Sequence, residues 1–361
     1  MPGPCIPRRS AEDEPAMSPR HRWAFPVLVG LLVAAVLLAV AIGAVWIPPL
    51  TSLRLFAWKL HLIARPANVL PSTAVILFQL RLPRVLEAAV VGAALATAGT
   101  VFQALFRNPM ADPAIIGVSS GAALGAIAVI LLGGGAALGG MGVPAAAFVG
   151  ALGTAFLVYR LARLGPSVQV ATLLLAGIAV AAVISAGMSV AMSLSGRDIR
   201  FAYFWLLGGL SGASWRDLLA SLPLVLLGLG GALAAVGELN VAALGEERAA
   251  QLGQEVERFK RVMLATGSLL AAAAVSVAGL IGFVGLMTPH ILRMVLGADH
   301  RRLVPASILG GATFMILADL AARTIVTPEE IPVGAVTALL GGPFFLWLLR
   351  RERLRVRGAT A

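Results

Sequence analysis

The sequence predicts an all-α polytopic membrane protein with about ten transmembrane helices per subunit, arranged as two inverted five-helix halves. Three observations predict it. Residues 24 to 47 run without a charge, and comparably apolar stretches recur until only short connections are left over. A hydrocarbon core of ~30 Å needs ~20 apolar helical residues per crossing, and only helices or closed barrels satisfy the backbone there. The composition agrees, with 59% hydrophobic and 12% charged residues against roughly 25% charged in a soluble chain. An odd number of spans in each half makes the second half enter the bilayer upside down relative to the first.

The elements follow in order from charges and turn residues. Residues 1–23 form a solvated cytoplasmic tail, whose Arg8-Arg9 pair is separated from the first apolar run by Glu12, Asp13 and Glu14. The first span, 24 to 47, is longer than the ~7 to 15 apolar residues of a signal peptide and no A-x-A site closes it, so it is expected to remain as an anchor. Residues 48 to 74 carry no recognisable motif and read as a loop. Spans are then expected at 84 to 106, 114 to 133, 142 to 163, 168 to 193, 217 to 237 and 260 to 279. The eighth, 282 to 297, is short, follows Gly279, Gly282 and Gly285 and contains Pro289. It is expected to be a broken or half-length helix packed inside protein, where irregular backbone is tolerated. Spans at 303 to 325 and 333 to 349 complete a membrane domain over 24–350, and a basic cytoplasmic tail occupies 351–361. Gly99, Pro109 and Gly117 recur 180 positions later as Gly279, Pro289 and Gly297, an echo in keeping with two related halves.

A net charge of +11 could suggest nucleic acid, but the arginines sit at the edges of apolar segments. That is the positive-inside pattern, and it places both termini in the cytoplasm. The single cysteine, Cys5, excludes an internal disulfide, and no C-x-x-C pair exists for zinc or haem attachment.

Several motifs invite chemistry and are better read as structure. Gly117-Val118-Ser119-Ser120-Gly121 fits a G-x-S-x-G elbow, but an elbow needs a preceding strand, a histidine and an acid, whereas this stretch opens an apolar helix. Its small residues suit close helix approach. His290 and His300 flank a helix end with no further ligands at metal-site spacing, so no metal site is expected. Asp319 and Arg323 share a helix face inside a span, which makes them a functional candidate or a local ion pair. Arg81-Leu82-Pro83-Arg84 lies on the external side against the positive-inside trend, as docking of an acidic partner or interfacial snorkelling would explain. The stretch at 242–253 reads as a glycine-bounded amphipathic helix outside the membrane, suited to a groove on a soluble subunit. No G-x-x-x-x-G-K-[ST] occurs, so any ATP-driven activity must take its nucleotide site from another chain.

Together these segments resemble the permease subunits of bacterial importers for iron chelates, haem and cobalamin, the FecCD-type family of ABC transporters. The resemblance spans about residues 75 to 350. It rests on Arg81–Arg84, on Gln103–Pro113, on Leu244-Gly245-Glu246 with Ala250–Gly253, on Gly282–Leu286 with Pro289–Arg293, and on Asp299-His300-Arg301. It implies a non-enzymatic homodimer in the bacterial inner membrane, with two cytoplasmic ATPase subunits that hold ATP and magnesium, a periplasmic substrate-binding protein, surrounding lipid and no nucleic-acid partner. No cofactor is expected on this chain; haem or another metal chelate is cargo. Arg81, Arg84 and Arg323 match the arginines that meet the binding protein. Asn108 and Met110, with Val170 and Ala171, match the cytoplasmic gate, although the latter pair is apolar here. Ala243, Leu244, Gly245, Glu246, Glu247, Ala250, Leu252 and Gly253 match the region seated on the ATPase.

The resulting expectation is ATP-powered import by alternating access, with haem as the first choice of cargo and ferric siderophores or cobalamin as alternatives. Arg197 and Arg200 would suit haem propionates, and Met188, Met192, Phe201 and Tyr203 its apolar face, along a pathway at the dimer axis. An ion-coupled secondary transporter is the rival class; it needs intramembrane acids, of which Asp319 stands nearly alone in the sequence.

Overall fold

A computed structural model of the protein describes residues 19–66, 68–134, 139–165, 167–195 and 199–359. The first half comprises α1 (Pro19–Ala41), α2 (Pro49–Lys59), α3 (Pro71–Val75), a π-helical turn (Ile76–Arg81), α4 (Leu82–Leu105), a 3-10 turn (Pro113–Ile116), α5 (Val118–Leu131), α6 (Gly142–Ala162) and α7 (Val170–Leu194). The second comprises α8 (Ile199–Leu207), α9 (Trp215–Ala234), α10 (Val236–Ala242), α11 (Glu246–Gln251), α12 (Val256–Ala278), α13 (Val284–Leu296), α14 (His300–Ala322) and α15 (Val333–Ala359). Among the described residues, eight helical stretches are long and apolar enough to cross a membrane, and α5 and α13 are shorter apolar helices, which brings the total to the ten expected spans. Between α6 and α7 the chain makes a minimal antiparallel hairpin of β1 (Arg163–Leu164) and β2 (Ser167–Val168), with Arg163 opposite Val168.

The boundaries have local causes. Pro49 and Pro71 stand in the first turns of α2 and α3, where a missing N–H costs nothing. Ser214 caps α9 and Asp299 caps α14 through their side chains. Pro289 lies within α13, whose residues Val284–His290 are all buried, the internal half-length helix that the glycines and proline anticipated.

Three boundaries differ from expectation. The span expected from residue 84 is the end of a continuous rod, Pro71–Leu105. The segment 48 to 74, expected to be a loop, contains α2, whose Phe56 packs edge-on against Phe78 of the π-helical turn at 5.3 Å. At the other terminus α15 continues through the expected basic tail to Ala359.

The core is α4, buried along nearly its whole length from Pro83 to Leu105. Its close neighbours are admitted by glycine. A Cβ on Gly99 would lie 1.7 Å from the Gly285 carbonyl oxygen, and one on Gly92 would lie 2.1 Å from that of Gly311, so α13 and α14 approach α4 backbone to backbone. Polar side chains join the same helices, with Thr100 Oγ1 donating to Ser307 Oγ at 2.9 Å and Gln103 Nε2 to the Leu286 carbonyl at 3.2 Å. Small residues with interhelical hydrogen bonds replace the hydrophobic drive that lipid cannot supply.

The two halves are visible in the packing. Counting spans, α4 follows α1 as α12 follows α9, and the short helices α5 and α13 are third in each half. Helix α4 packs on α14 as α12 packs on α6; α5 packs on α6 as α13 packs on α14; and α4 and α12 meet each other. This is the arrangement of an inverted repeat. The Gly-Pro-Gly echo does not mark equivalent positions, because Gly99 lies mid-helix and Gly279 follows a helix end, while Pro109 is in a turn and Pro289 in a helix.

Candidate functional site

Candidate functional side chains gather at the two ends of the bundle. At the end where α4 begins and α14 finishes, Arg84 is the centre of a charged cluster. Its Nη2 and Nε contact Asp319 Oδ1 at 2.8 and 3.0 Å, and its Nη1 contacts both Glu330 oxygens at 3.0 Å. Asp319 is 1% exposed. The pair that the sequence spacing suggested, Asp319 with Arg323, is the weaker contact at 3.6 Å. Sequence separation hid the stronger partner: Arg84 is 235 residues away. Glu87, in the next turn of α4, is also buried, so Asp319 is not the isolated acid that the sequence suggested.

Arg81 and Arg323 depart from their expected presentation as external charges. Both are buried in this subunit. Arg81 donates to the carbonyls of Val40 and Ala41 at 2.8 and 3.0 Å and to that of Val45, and Arg323 donates to that of Ala39. The last carbonyls of a helix have no intrahelical donor. The two guanidinium groups therefore cap α1 and hold it to the rest of the bundle.

A cavity of about 260 Å³ adjoins Arg84 and Glu330 and is walled by Phe201, Phe204 and Pro332. It brings together one expected docking residue, Arg84, and one expected pathway residue, Phe201. On α8, Arg200 lies over the Phe204 ring at 5.7 Å, and Tyr203 meets Phe204 edge-on. Phe201 and Tyr203 are exposed by 58% and 56%. Met188 and Met192 of α7 are half-buried against the core. Arg197 lies outside the described residues. Helix α7 is the least enclosed of the long spans, with only Leu173 and Gly177 buried. Three exposed serines, Ser185, Ser189 and Ser193, recur every four residues along it, so one stripe of an otherwise apolar helix is polar.

At the opposite end, Asn108 Oδ1 accepts from the Met110 N–H at 2.9 Å and shapes the turn after α4. That turn leads into Pro113–Ile116, which packs on α7: a Cβ on Gly177 would lie 2.2 Å from the Ile115 carbonyl oxygen. Val170 and Ala171 form the first turn of α7. The two expected gate segments thus belong to one packed unit through the 3-10 turn.

The stretch expected to be a single helix at 242–253 consists of the end of α10, a turn and α11. Gly245 starts α11 at φ 107° and Gly253 follows it at φ 84°, conformations that a side chain would strain. Ala249 faces inward, while Ala243, Leu244, Glu246, Glu247, Ala250, Leu252 and Gly253 are exposed, Leu244 by 52% and Leu252 by 65%. An open cavity of about 800 Å³ beside them is lined by Glu238, Val241, Leu252, Arg258 and Phe259. The histidines have structural neighbours here: His300 Nδ1 is 2.8 Å from Asn240 Oδ1, and His290 packs edge-on against Phe344. Asp299 accepts from Asn240 Nδ2 at 2.7 Å and from the Arg301 N–H at 3.0 Å. Partial burial works against its ionisation, but these bonds, with the charges of Arg301 and Arg302, hold its carboxyl below the usual range.

Comparison with known proteins fits this arrangement of ten spans, a charged end and an exposed pair of short helices. Residues 31–351 match the FecCD transport family. The chain belongs to that family. Within it, the chain is 51% identical over 286 residues to a cobalamin import system permease protein of Halobacterium salinarum, covering 79% of this chain and 76% of the relative. It is 45% identical over 281 residues to a hemin transport system permease protein of Yersinia pestis, covering 76% and 83%. A solved structure described as an inward-facing conformation of a metal-chelate type ABC transporter superposes with a TM-score of 0.79 at 32% identity, covering 91% of this FecCD chain and 99% of that one. Sequence reasoning missed Lys260 and Glu330 as members of the charged clusters; Glu330 meets Arg84 from 246 residues away, and Lys260 meets Glu246 across a turn, although its pairing with Glu257 three residues back is a local spacing.

Proposed function

We propose that this FecCD-family chain is the permease subunit of an ATP-binding-cassette importer, works as a homodimer, and moves a metal-bearing tetrapyrrole from an external binding protein to the cytoplasm. The observation that carries this reading is the open face of α7 and α8 in a bundle whose other central helices are packed. Ser189 and Ser193 donate to their own helix backbone, and small serines at this spacing suit a face that meets a second copy or lines a path between two copies. The relatives named for cobalamin and hemin support the cargo class. Cobalamin comes before haem: the cobalamin relative is the more similar of the two, and the case for propionate recognition loses strength because Arg200 is engaged with Phe204.

In this reading the binding protein docks at the Arg84 end, where the 42% exposed side chain of Glu330 reaches the surface above the largely buried Arg84. Arg81 and Arg323 act from beneath by fixing α1. Two ATPase subunits dock at the other end on Leu244, Leu252 and the adjoining cavity, and the segment from Asn108 to Met110 with Val170 and Ala171 forms the inner gate. Nucleotide and binding protein drive transport by stabilising the inward and outward states differently.

The test is ATPase stimulation in proteoliposomes holding the permease with its ATPase. Binding protein loaded with cobalamin is expected to stimulate hydrolysis and uptake more than the same protein offered haem or a ferric siderophore. Stimulation by the siderophore alone would overturn the cargo class.

A further inference from the structure

Lys260 is one of only two lysines in the chain, and it is 5% exposed near the start of α12. A buried ammonium needs partners to offset its lost hydration, and Lys260 has them on three separate elements. Its Nζ lies 2.7 Å from Glu246 Oε2 at the first residue of α11, 3.1 Å from Glu257 Oε1 one turn back on α12, and 3.2 Å from the carbonyl oxygen of Val168 at the end of β2. Glu257 closes the ring, since its Oε2 accepts from the Val168 N–H at 3.1 Å. Both backbone groups of Val168 are therefore held by the Lys260–Glu257 pair. Val168 is two residues before Val170, where α7 begins.

We propose that Lys260 is the positioning residue that transmits movement of α11 to the start of α7. This rests on the reading above, in which α11 seats on the ATPase and α7 lines the pathway. Glu246 is half-exposed and sits on the ATPase-facing helix; Val168 leads directly into the gate turn. A shift of α11 displaces the Glu246 carboxylate, and a 2.7 Å charge-assisted contact resists lengthening more strongly than a neutral hydrogen bond does. The ammonium moves with it and carries the clamped peptide of Val168. Lys260 thus touches both α11 and the hairpin directly.

The test uses the full transporter in proteoliposomes, with Cys5→Ser as background and a spin label on the exposed Ala171→Cys. In the parent, adding ATP with vanadate is expected to change the label's mobility. With Lys260→Met, the ATPase subunits are expected to stay bound and hydrolysis to remain within about threefold, while cargo moved per ATP falls at least tenfold and the nucleotide-dependent change at 171 disappears. Glu257→Gln loosens the clamp on Val168 without touching α11, so it serves if Lys260→Met fails to insert. The double variant should lose no more than the worse single variant, because both cut one path, and Lys260→Arg should restore most of the coupling. An unchanged response at 171 and unchanged transport per ATP in Glu257→Gln would overturn the proposal, as would fully additive losses. Failure of the underlying reading gives a different result: ATPase binding that survives charged substitutions at Leu244 and Leu252, whatever Lys260 does.

Discussion

Asp319→Asn preserves the shape of the side chain while removing its charge, and its cost can be worked from the cluster around Arg84. Asp319 is 1% exposed, and the facing side chains of Arg84 and Arg323 are 12% and 6% exposed. After the substitution Arg84 keeps Glu330, while Arg323 loses the carboxylate charge 3.6 Å away and keeps its hydrogen bond to the Ala39 carbonyl. Breaking a buried pair from one side costs about 3–5 kcal/mol, because the surviving charge stays desolvated. That is about a hundred- to several-thousand-fold in the folding equilibrium. Glu330 contacts the same arginine at 3.0 Å with a side chain that is 42% exposed, so Glu330→Gln should cost only about 0–1 kcal/mol. Equilibrium unfolding in mixed micelles, followed by tryptophan fluorescence, measures both. Raising the salt should shrink the Glu330 effect and leave the Asp319 effect nearly unchanged, since buried pairs are screened little. Equal costs for the two variants, or a cost below ~1 kcal/mol for Asp319→Asn, would refute the view that burial makes this pair structural.

Gly99→Ala should destabilise by about 1–3 kcal/mol or more, because its Cβ would meet the Gly285 carbonyl oxygen; Gly30→Ala, which faces open space in α1, should be neutral or stabilising by up to ~1 kcal/mol, and melting temperatures of the two variants compare them. Asp299 caps α14 with a carboxyl held below its usual range, so its contribution is complete above the unfolded-state value of ~3.9 and is lost only as pH falls through the lower folded value. Asp299→Ala should accordingly cost about 1 kcal/mol at neutral pH, a difference from the parent that vanishes on acid titration. Leu244→Asp with Leu252→Asp should abolish copurification of the ATPase while leaving membrane insertion intact; retained copurification would move the ATPase contact elsewhere.

The spans were legible because each depends on a local run of apolar residues, and the short α13 was legible because Gly282 and Pro289 sit within its own segment. A short helix near Gly253 was legible for the same reason, but the turn at Gly245 that divides the stretch was not. What the sequence could not show is where a charge finds its partner. Arg81 and Arg323 carry no local sign that they cap α1, and Arg84 has no spacing that points to Asp319 or Glu330. Lys260 looked like one more positive charge at a helix edge, since its contacts with Glu246 and Val168 depend on how α11 and the hairpin fold back on α12. The rod from Pro71 was missed because its first turns are a proline start and a π-helical turn, which blur the helical period.

The central claim, that cargo passes along the α7–α8 face between two copies, is tested most directly by thiol accessibility in the assembled transporter. Single cysteines at Met188, Met192 and Tyr203 in a Cys5→Ser background would be treated with a polar, membrane-impermeant thiol reagent with and without nucleotide, and with cargo-loaded binding protein docked. The account predicts that all three react in at least one state, that reactivity changes with nucleotide, and that loaded binding protein protects Tyr203→Cys at the outer end. Cysteines that stay unreactive at all three positions in every state would place this face against lipid or protein and contradict the proposed pathway.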